Sequence, residues 1–436
     1  MNDAAAPRAG EARSGLERWV GWAVPATPQE LAAALWSFGY FFTLLAGYYV
    51  LRPLRDQMGI AGGVRNLPWL FLATFLTLLI AQPLYGALVA RLPRQRFIAI
   101  VYHFFALNLA AFWLLLTLDI QAVPVARVFF VWVSVFSLFA VAVFWSFMAD
   151  LFDSEQGKRL FGFIGAGGTI GALLGPAITI ALAEPLGPKN LLLVALVLLE
   201  LAVFCVHRLE RTATSGARRS DDGDVIVGGG AFAAIPEIVR SPYLLGLAAW
   251  SCLLSFGATV LYFAQANVVA AEVHGAAAQT RVFASVDLAV GVLTLATQVL
   301  ATGRFLERFG VGAASAVLPG VFVVGFALLG LAALGSAPTL AVVLAFQVAQ
   351  RWLNFAIANP ARQVLFTVVG REEKYKAKSF IDVVVYRGSD ALWGWLYESV
   401  HAIGLKLGAI ALVAVPVAAA WMALSVALGR MHDRRR

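Results

Sequence analysis

The sequence predicts an all-α integral membrane protein of twelve transmembrane helices arranged as two six-helix bundles. Three observations carry this expectation. Hydrophobic residues make up 61% of the 436 residues and charged ones 13%, and mean hydropathy is +0.80, whereas soluble domains use roughly 45–50% apolar residues. The apolar residues gather into runs close to the roughly 20 residues a helix needs to cross a bilayer. The runs fall six and six on either side of the least hydrophobic stretch of the chain. Spans consume so much of the length that no sizeable soluble domain is left over.

Residues 1–30 read as a polar cytoplasmic segment in which Leu16, Trp19, Val20 and Ala23 share one face of a short interfacial helix. The first bundle, 31–207, holds runs near 31–51, 67–90, 97–118, 125–149, 161–183 and 190–207. A cytoplasmic linker, 208–242, follows, with Arg208, Arg211, Arg218, Arg219, Asp221, Asp222 and Asp224 and a run of three glycines from Gly228. The second bundle, 243–429, holds runs near 243–269, 282–303, 312–334, 338–358, 380–400 and 408–429, and 430–436 is a basic cytoplasmic tail. With the N-terminus in the cytoplasm, 24 of the 33 Lys and Arg fall in cytoplasmic segments and 7 in outer ones. That is the asymmetry of the positive-inside rule, and it places both termini in the cytoplasm. No cleavable leader is expected. The abundance of Ala, Gly and Arg suggests a bacterial source, hence an inner membrane.

Cys205 and Cys252 both lie in apolar runs with no disulfide or metal-site spacing, and the five histidines are scattered. Neither a G-x-S-x-G element nor a P-loop is present. We therefore expect no enzyme, no cofactor and no metal. The basic residues flank apolar runs instead of clustering on one polar surface, so a nucleic-acid polymer is not an expected partner. The expected partners are the lipid bilayer and a small solute.

Two cytoplasmic turns 217 residues apart echo one another: Gly86, Arg91, Arg94 and Arg96 after the second run, and Gly303, Arg304, Glu307, Arg308 and Gly310 after the eighth. A small residue at a helix end followed by charges in a tight turn resembles the loop signature of the major facilitator superfamily. The resemblance implies a major facilitator-like fold with these residues in gating loops. The first copy has Ala90 and Pro93 where the second keeps an acid, Glu307, and Gly310.

Ionisable residues inside spans are costly and default to functional candidates. In the first run Arg52, Arg55 and Asp56 can share a face behind Tyr48, and Pro53 removes a backbone donor, which predicts a disturbed helix there. In the tenth, Gln347, Gln350, Arg351 and Asn354 form a polar stripe that must face protein or water. In the eleventh, Asp382, Tyr386 and Asp390 recur every four residues with Arg387 three before Asp390. The eighth supplies Asp287, and the sixth supplies Glu200, read as an acid snorkelling at the cytoplasmic boundary near Arg208. Gly167, Gly171 and Gly175 at four-residue spacing predict close helix packing in the fifth run.

Three segments resemble the ATP/ADP translocase (nucleotide exchange) family: Val50 to Asp56, Asn359 to Asp382, and Phe144-Trp145-Ser146-Phe147. The resemblance implies a transporter, with Arg55, Lys376 and Lys378 handling nucleotide. The fourth and seventh spans carry Trp132-Val133 and Leu261-Tyr262 where that family has acids. The functional expectation is a secondary transporter working by alternating access on an anionic, nucleotide-like solute. Arg52, Arg55, Arg351 and Arg387 would bind the anion, with Tyr48, Trp145, Gln350 and Asn354 supplying stacking and hydrogen bonds. Two alternatives stand beside it: proton-coupled transport of another solute through Asp56, Asp287, Asp382 or Asp390, and a non-transporting membrane binding or sensing protein. Oligomeric state is not legible from the sequence.

Overall fold

A computed structural model describes residues 28–91, 94–213, 235–335, 339–370, 377–378 and 380–435. The expected interfacial helix between Arg13 and Ala23, most of the linker, and Lys376 lie outside the described residues. The first six spans are α1 (Pro28–Ala61), α2 (Leu67–Arg91), α3 (Arg94–Thr117), α4 (Ala122–Leu151), α5 (Ser154–Leu182) and α6 (Leu191–Ala213). A short α7 (Ile235–Arg240) precedes α8 (Pro242–Glu272), α9 (Ala276–Leu300) and α10 (Thr302–Leu334). The tenth span joins α11 (Thr339–Leu353), a π-helical turn (Asn354–Ala358) and α12 (Asn359–Leu365). The eleventh joins a second π-helical turn (Ile381–Val385) to α13 (Tyr386–Ala402), and α14 (Leu407–Arg435) completes the set. Eleven of these elements are long and apolar enough to cross a membrane. The twelfth is the eleventh span, made more polar by Asp382, Arg387, Asp390 and Glu398.

Aromatic residues fill two cores. One is built around Tyr40, Tyr102, Phe129, Phe136 and Phe144, with the Tyr40 and Tyr102 hydroxyls hydrogen-bonded to each other. The other is built around Trp250, Phe263, Phe322, Phe326 and Trp421, where the Trp250 indole donates to Ser425 Oγ at 2.9 Å. The small-residue stripe of α5 packs on α1. A Cβ at Gly171 would collide with the Phe42 carbonyl oxygen, and one at Gly175 would lie 2.7 Å from that of Ala46. The four-residue spacing thus brings two backbones together inside the first bundle.

Pro53 does not break α1, which stays helical from end to end, contrary to expectation. The breaks lie elsewhere. Gly310 (φ 75°) kinks α10 and sets off the turn helix carrying Gly303, Glu307 and Arg308 from the span that follows. Glu307 and Arg308 are exposed there, and Glu307 makes no ion pair among the described residues. Gly86 and Arg91 fall in α2, and Arg94 and Arg96 in α3; their side chains lie outside the described set.

The two bundles meet where α9 packs on α1 and α5, and α13 on α2. Named contacts between them gather at the end where α1 terminates. Tyr262 donates to Asp56, Trp69 stacks edge-on to Trp395 at 4.7 Å, Phe71 meets Phe263, and Arg281 pairs with Glu184.

Replacing Gly171 by Val should cost about 1–3 kcal/mol or more, because overpacking forces the α1–α5 backbones apart. Gly162, where an added Cβ would meet nothing within 4 Å, should accept Ala with a gain approaching ~1 kcal/mol of helix propensity. Thermal unfolding of the detergent-solubilised variants separates the two.

Candidate functional site

The charged residues of the spans are brought into pairs, and the partners differ from those that sequence neighbourhood suggests. Arg52 does not turn to Asp56 four residues on. It reaches α9, with Nη1 3.7 Å from Asp287 Oδ1. Arg351, from α11, places Nη2 2.6 Å from the same oxygen. One carboxylate, whose side chain is 2% exposed, is therefore shared by two guanidiniums from opposite bundles. In a medium without water a lone carboxylate at this depth would be very costly, and bridging offsets that cost.

The other candidates are neutralised one by one. Arg55 lies 3.6 Å from Asp56 with its guanidinium 4.2 Å over the Phe130 ring, and Asp56 also accepts from the Tyr262 hydroxyl at 3.0 Å. Arg387 pairs with Asp390 at 3.5 Å, and Asp390 accepts from Ser255 Oγ at 2.6 Å and Thr259 Oγ1 at 3.3 Å. Asp382 pairs with Arg362 at 2.8 Å, an arginine that span-by-span reading passed over because it sits beyond the tenth apolar run. Lys378 is held by Gln363 at 2.6 Å.

The polar stripe of the tenth span splits in two. Gln350 donates to Gln347 and is buried, while Arg351 turns to Asp287 and Asn354 opens the π-helical turn. That turn releases backbone carbonyls, which side chains from neighbouring helices satisfy: Gln298 donates to Phe355 O at 3.2 Å and Thr302 to Ala356 O at 2.9 Å. The second π-helical turn carries Asp382. The first turn has a proline as its sequence signal, since Pro360 has no N–H to offer Ala356 O; the second has none.

Tyr48 packs against Tyr49 beside Arg52. Trp145 does not join the arginines. It sits in an aromatic cluster with Phe41, Phe144 and Phe161, and Phe41 stands eleven residues, roughly 16 Å of helix, before Arg52.

A cavity of about 370 Å³ lies between the bundles, lined by α1, α5, α9 and the tenth span. It extends from Tyr49, Asp287 and Arg351 towards Gln298, Phe355 and Asn359, the side on which α1 begins. Three wall residues carry buried polar atoms without a hydrogen-bond partner: Asp287 Oδ2, Arg351 Nε and Thr294 Oγ1. At the other end, a second and more open pocket of about 510 Å³ lies around Glu184 and Arg281, lined also by Val286, Leu344 and Val348.

The profile of the Major Facilitator Superfamily matches residues 31–381. The chain belongs to this superfamily. No curated protein matches it in sequence. Among solved structures, a mutant of the nucleoside transporter NupG is 14% identical with a TM-score of 0.60, covering 93% of this chain and 99% of that one. A bacterial homologue of the human lysosomal transporter Spinster, in an inward-facing unoccupied conformation, gives 14% and 0.59 over 94% and 99%. A POT family transporter in complex with 5-aminolevulinic acid gives 11% and 0.64 over 92% and 96%. At these identities the likeness is one of fold. The superfamily match makes this chain a multi-pass membrane protein and a secondary transporter, not an enzyme.

Asp287→Asn should leave two buried guanidiniums facing each other and cost about 3–5 kcal/mol. Arg281→Gln, which removes an ion pair 42% and 60% exposed, should cost under about 1 kcal/mol. Thermal unfolding in lipid nanodiscs reads both.

Proposed function

We propose that this superfamily member carries a small organic anion by alternating access, with Arg351 and Arg52 as the anion site. One observation supports the reading above the rest: two guanidiniums share a single carboxylate on the wall of the cavity between the bundles. Arg55, Arg362 and Arg387 each have a carboxylate of their own, so the one surplus positive charge of these pairs sits at Asp287. An anion entering the cavity competes with Asp287 for Arg351, whose fork can hold carboxylate or phosphate in bidentate fashion. Releasing Asp287 loosens the tie between α1 and α9, which couples binding to relative movement of the bundles. Tyr49 and Phe41 supply apolar wall for the remainder of the solute.

With both termini in the cytoplasm, as the basic residues favour, the cavity beside Arg351 extends towards the cytoplasmic side. Nucleotides belong to the anion class but carry several charges against a surplus of one. Arg55 and Lys378, two of the positions implied by the translocase resemblance, lie at opposite ends of the molecule. The reading therefore favours a monoanion.

The test is a thermal-shift panel of carboxylates, phosphates, nucleosides and nucleotides on the purified protein, followed by uptake into proteoliposomes. A ligand that binds only the folded state at 100 times its Kd stabilises by about 2.7 kcal/mol. A monoanion should raise the melting temperature and be taken up, and Arg351→Gln should abolish both while the variant remains folded. Stabilisation by a neutral or cationic solute alone would discard the arginine site. Uptake driven by an imposed pH gradient without counter-substrate would assign coupling to protons, with Asp287 and Asp390 the carboxylates to test.

A further inference from the structure

His103 on α3 and Glu200 on α6 form a pair at 3.9 Å, with side chains 55% and 41% exposed. Their position in the membrane makes this exposure unusual. His103 lies nine residues into α3 and Glu200 nine residues into α6, roughly 13 Å from opposite ends of helices that run antiparallel. Both side chains therefore sit near mid-membrane. Glu200 is not the boundary acid that sequence reading made it: α6 continues through Arg211, and Arg208 lies over the Phe204 ring instead.

Around the pair the surface is apolar, with Phe104, Leu107, Val197, Leu201 and Phe204 exposed. The corresponding helices of the second bundle, α10 and α14, provide the comparison. Their exposed face at the same depth carries Val324, Leu328, Leu331 and Val413, and no ionisable residue stands in α14 before Arg430. That face suits acyl chains. A pair of ionisable groups does not, because hydrocarbon offers neither water nor partners.

We propose that the α3/α6 face is a homodimer interface in which His103 and Glu200 meet Glu200 and His103 of a second copy. The charge pattern selects this occupant. His103 and Glu200 touch, so they share one depth, and a two-fold axis along the membrane normal preserves depth. The axis therefore sets each group opposite its complement in the second copy. An isologous contact of this kind requires a self-complementary patch, and this face supplies both partners of the pair. The four groups then close a ring shielded from lipid, with the apolar residues packed around it.

The test uses the full chain in liposomes, with Cys205 and Cys252 replaced by Ala. Leu107→Cys, one turn from His103, is compared with Val413→Cys on α14 under a short bis-maleimide. The expected result is a cross-linked dimer at least about fivefold more abundant for Leu107→Cys, the population change that roughly 1 kcal/mol produces. Adding His103→Leu and Glu200→Leu should lower the yield to the Val413→Cys level, and the exchange His103→Glu with Glu200→His should retain it. Size-exclusion profiles of each variant check folding. Equal yields at the two positions, no dimer at Leu107→Cys, or an undiminished yield in the double leucine variant would each overturn the proposal.

Discussion

A charge inside a bilayer must find its partner within the protein, and the pairing of two guanidiniums with Asp287 follows from that constraint. Water would solvate Arg52 and Arg351 separately. Hydrocarbon does not, and a carboxylate that serves both draws α1, α9 and α11 to one point. The bundles are thus joined at mid-membrane by electrostatics, and towards the end of α1 by aromatic contacts such as Trp69 with Trp395. Because the link is ionic, any solute that competes for it acts on the relationship between the bundles.

The same constraint explains where the helices depart from regular geometry. A π-helical turn exposes backbone carbonyls that lipid cannot satisfy. The turn at Asn354–Ala358 occurs where Gln298 and Thr302 supply donors. Both π-helical turns lie in the second bundle, next to Arg351 and around Asp382, so irregular backbone and buried charge coincide in the tenth and eleventh spans. The first bundle has the opposite character. Its α1 passes through Pro53 without a break, and its packing against α5 relies on Gly167, Gly171 and Gly175, where any side chain would collide with backbone.

Much of this was open to reading from the chain alone. Spans, their number and their six-and-six division follow from hydropathy, which is a property of each segment by itself. Close packing of α5 follows from the spacing of its glycines, since that spacing puts them on one face whatever the neighbour. The candidates Arg52, Asp287, Arg351 and Asp390 follow because a charge in an apolar run is conspicuous anywhere.

Which charge meets which was not open in the same way. Arg52 has Asp56 one helical turn away, yet pairs with Asp287, more than two hundred residues further on. Trp145 looked like a companion to the arginines and belongs to an aromatic cluster. Arg362 lay outside the tenth apolar run and proved to be the partner of Asp382. Glu200 read as a boundary residue and sits at mid-membrane beside His103. Residue type and periodicity act within a segment, so they determine that a helix forms and which of its positions are expensive to bury. Partner choice depends on how helices remote in sequence dock and rotate against one another, and that is settled only when the whole bundle packs.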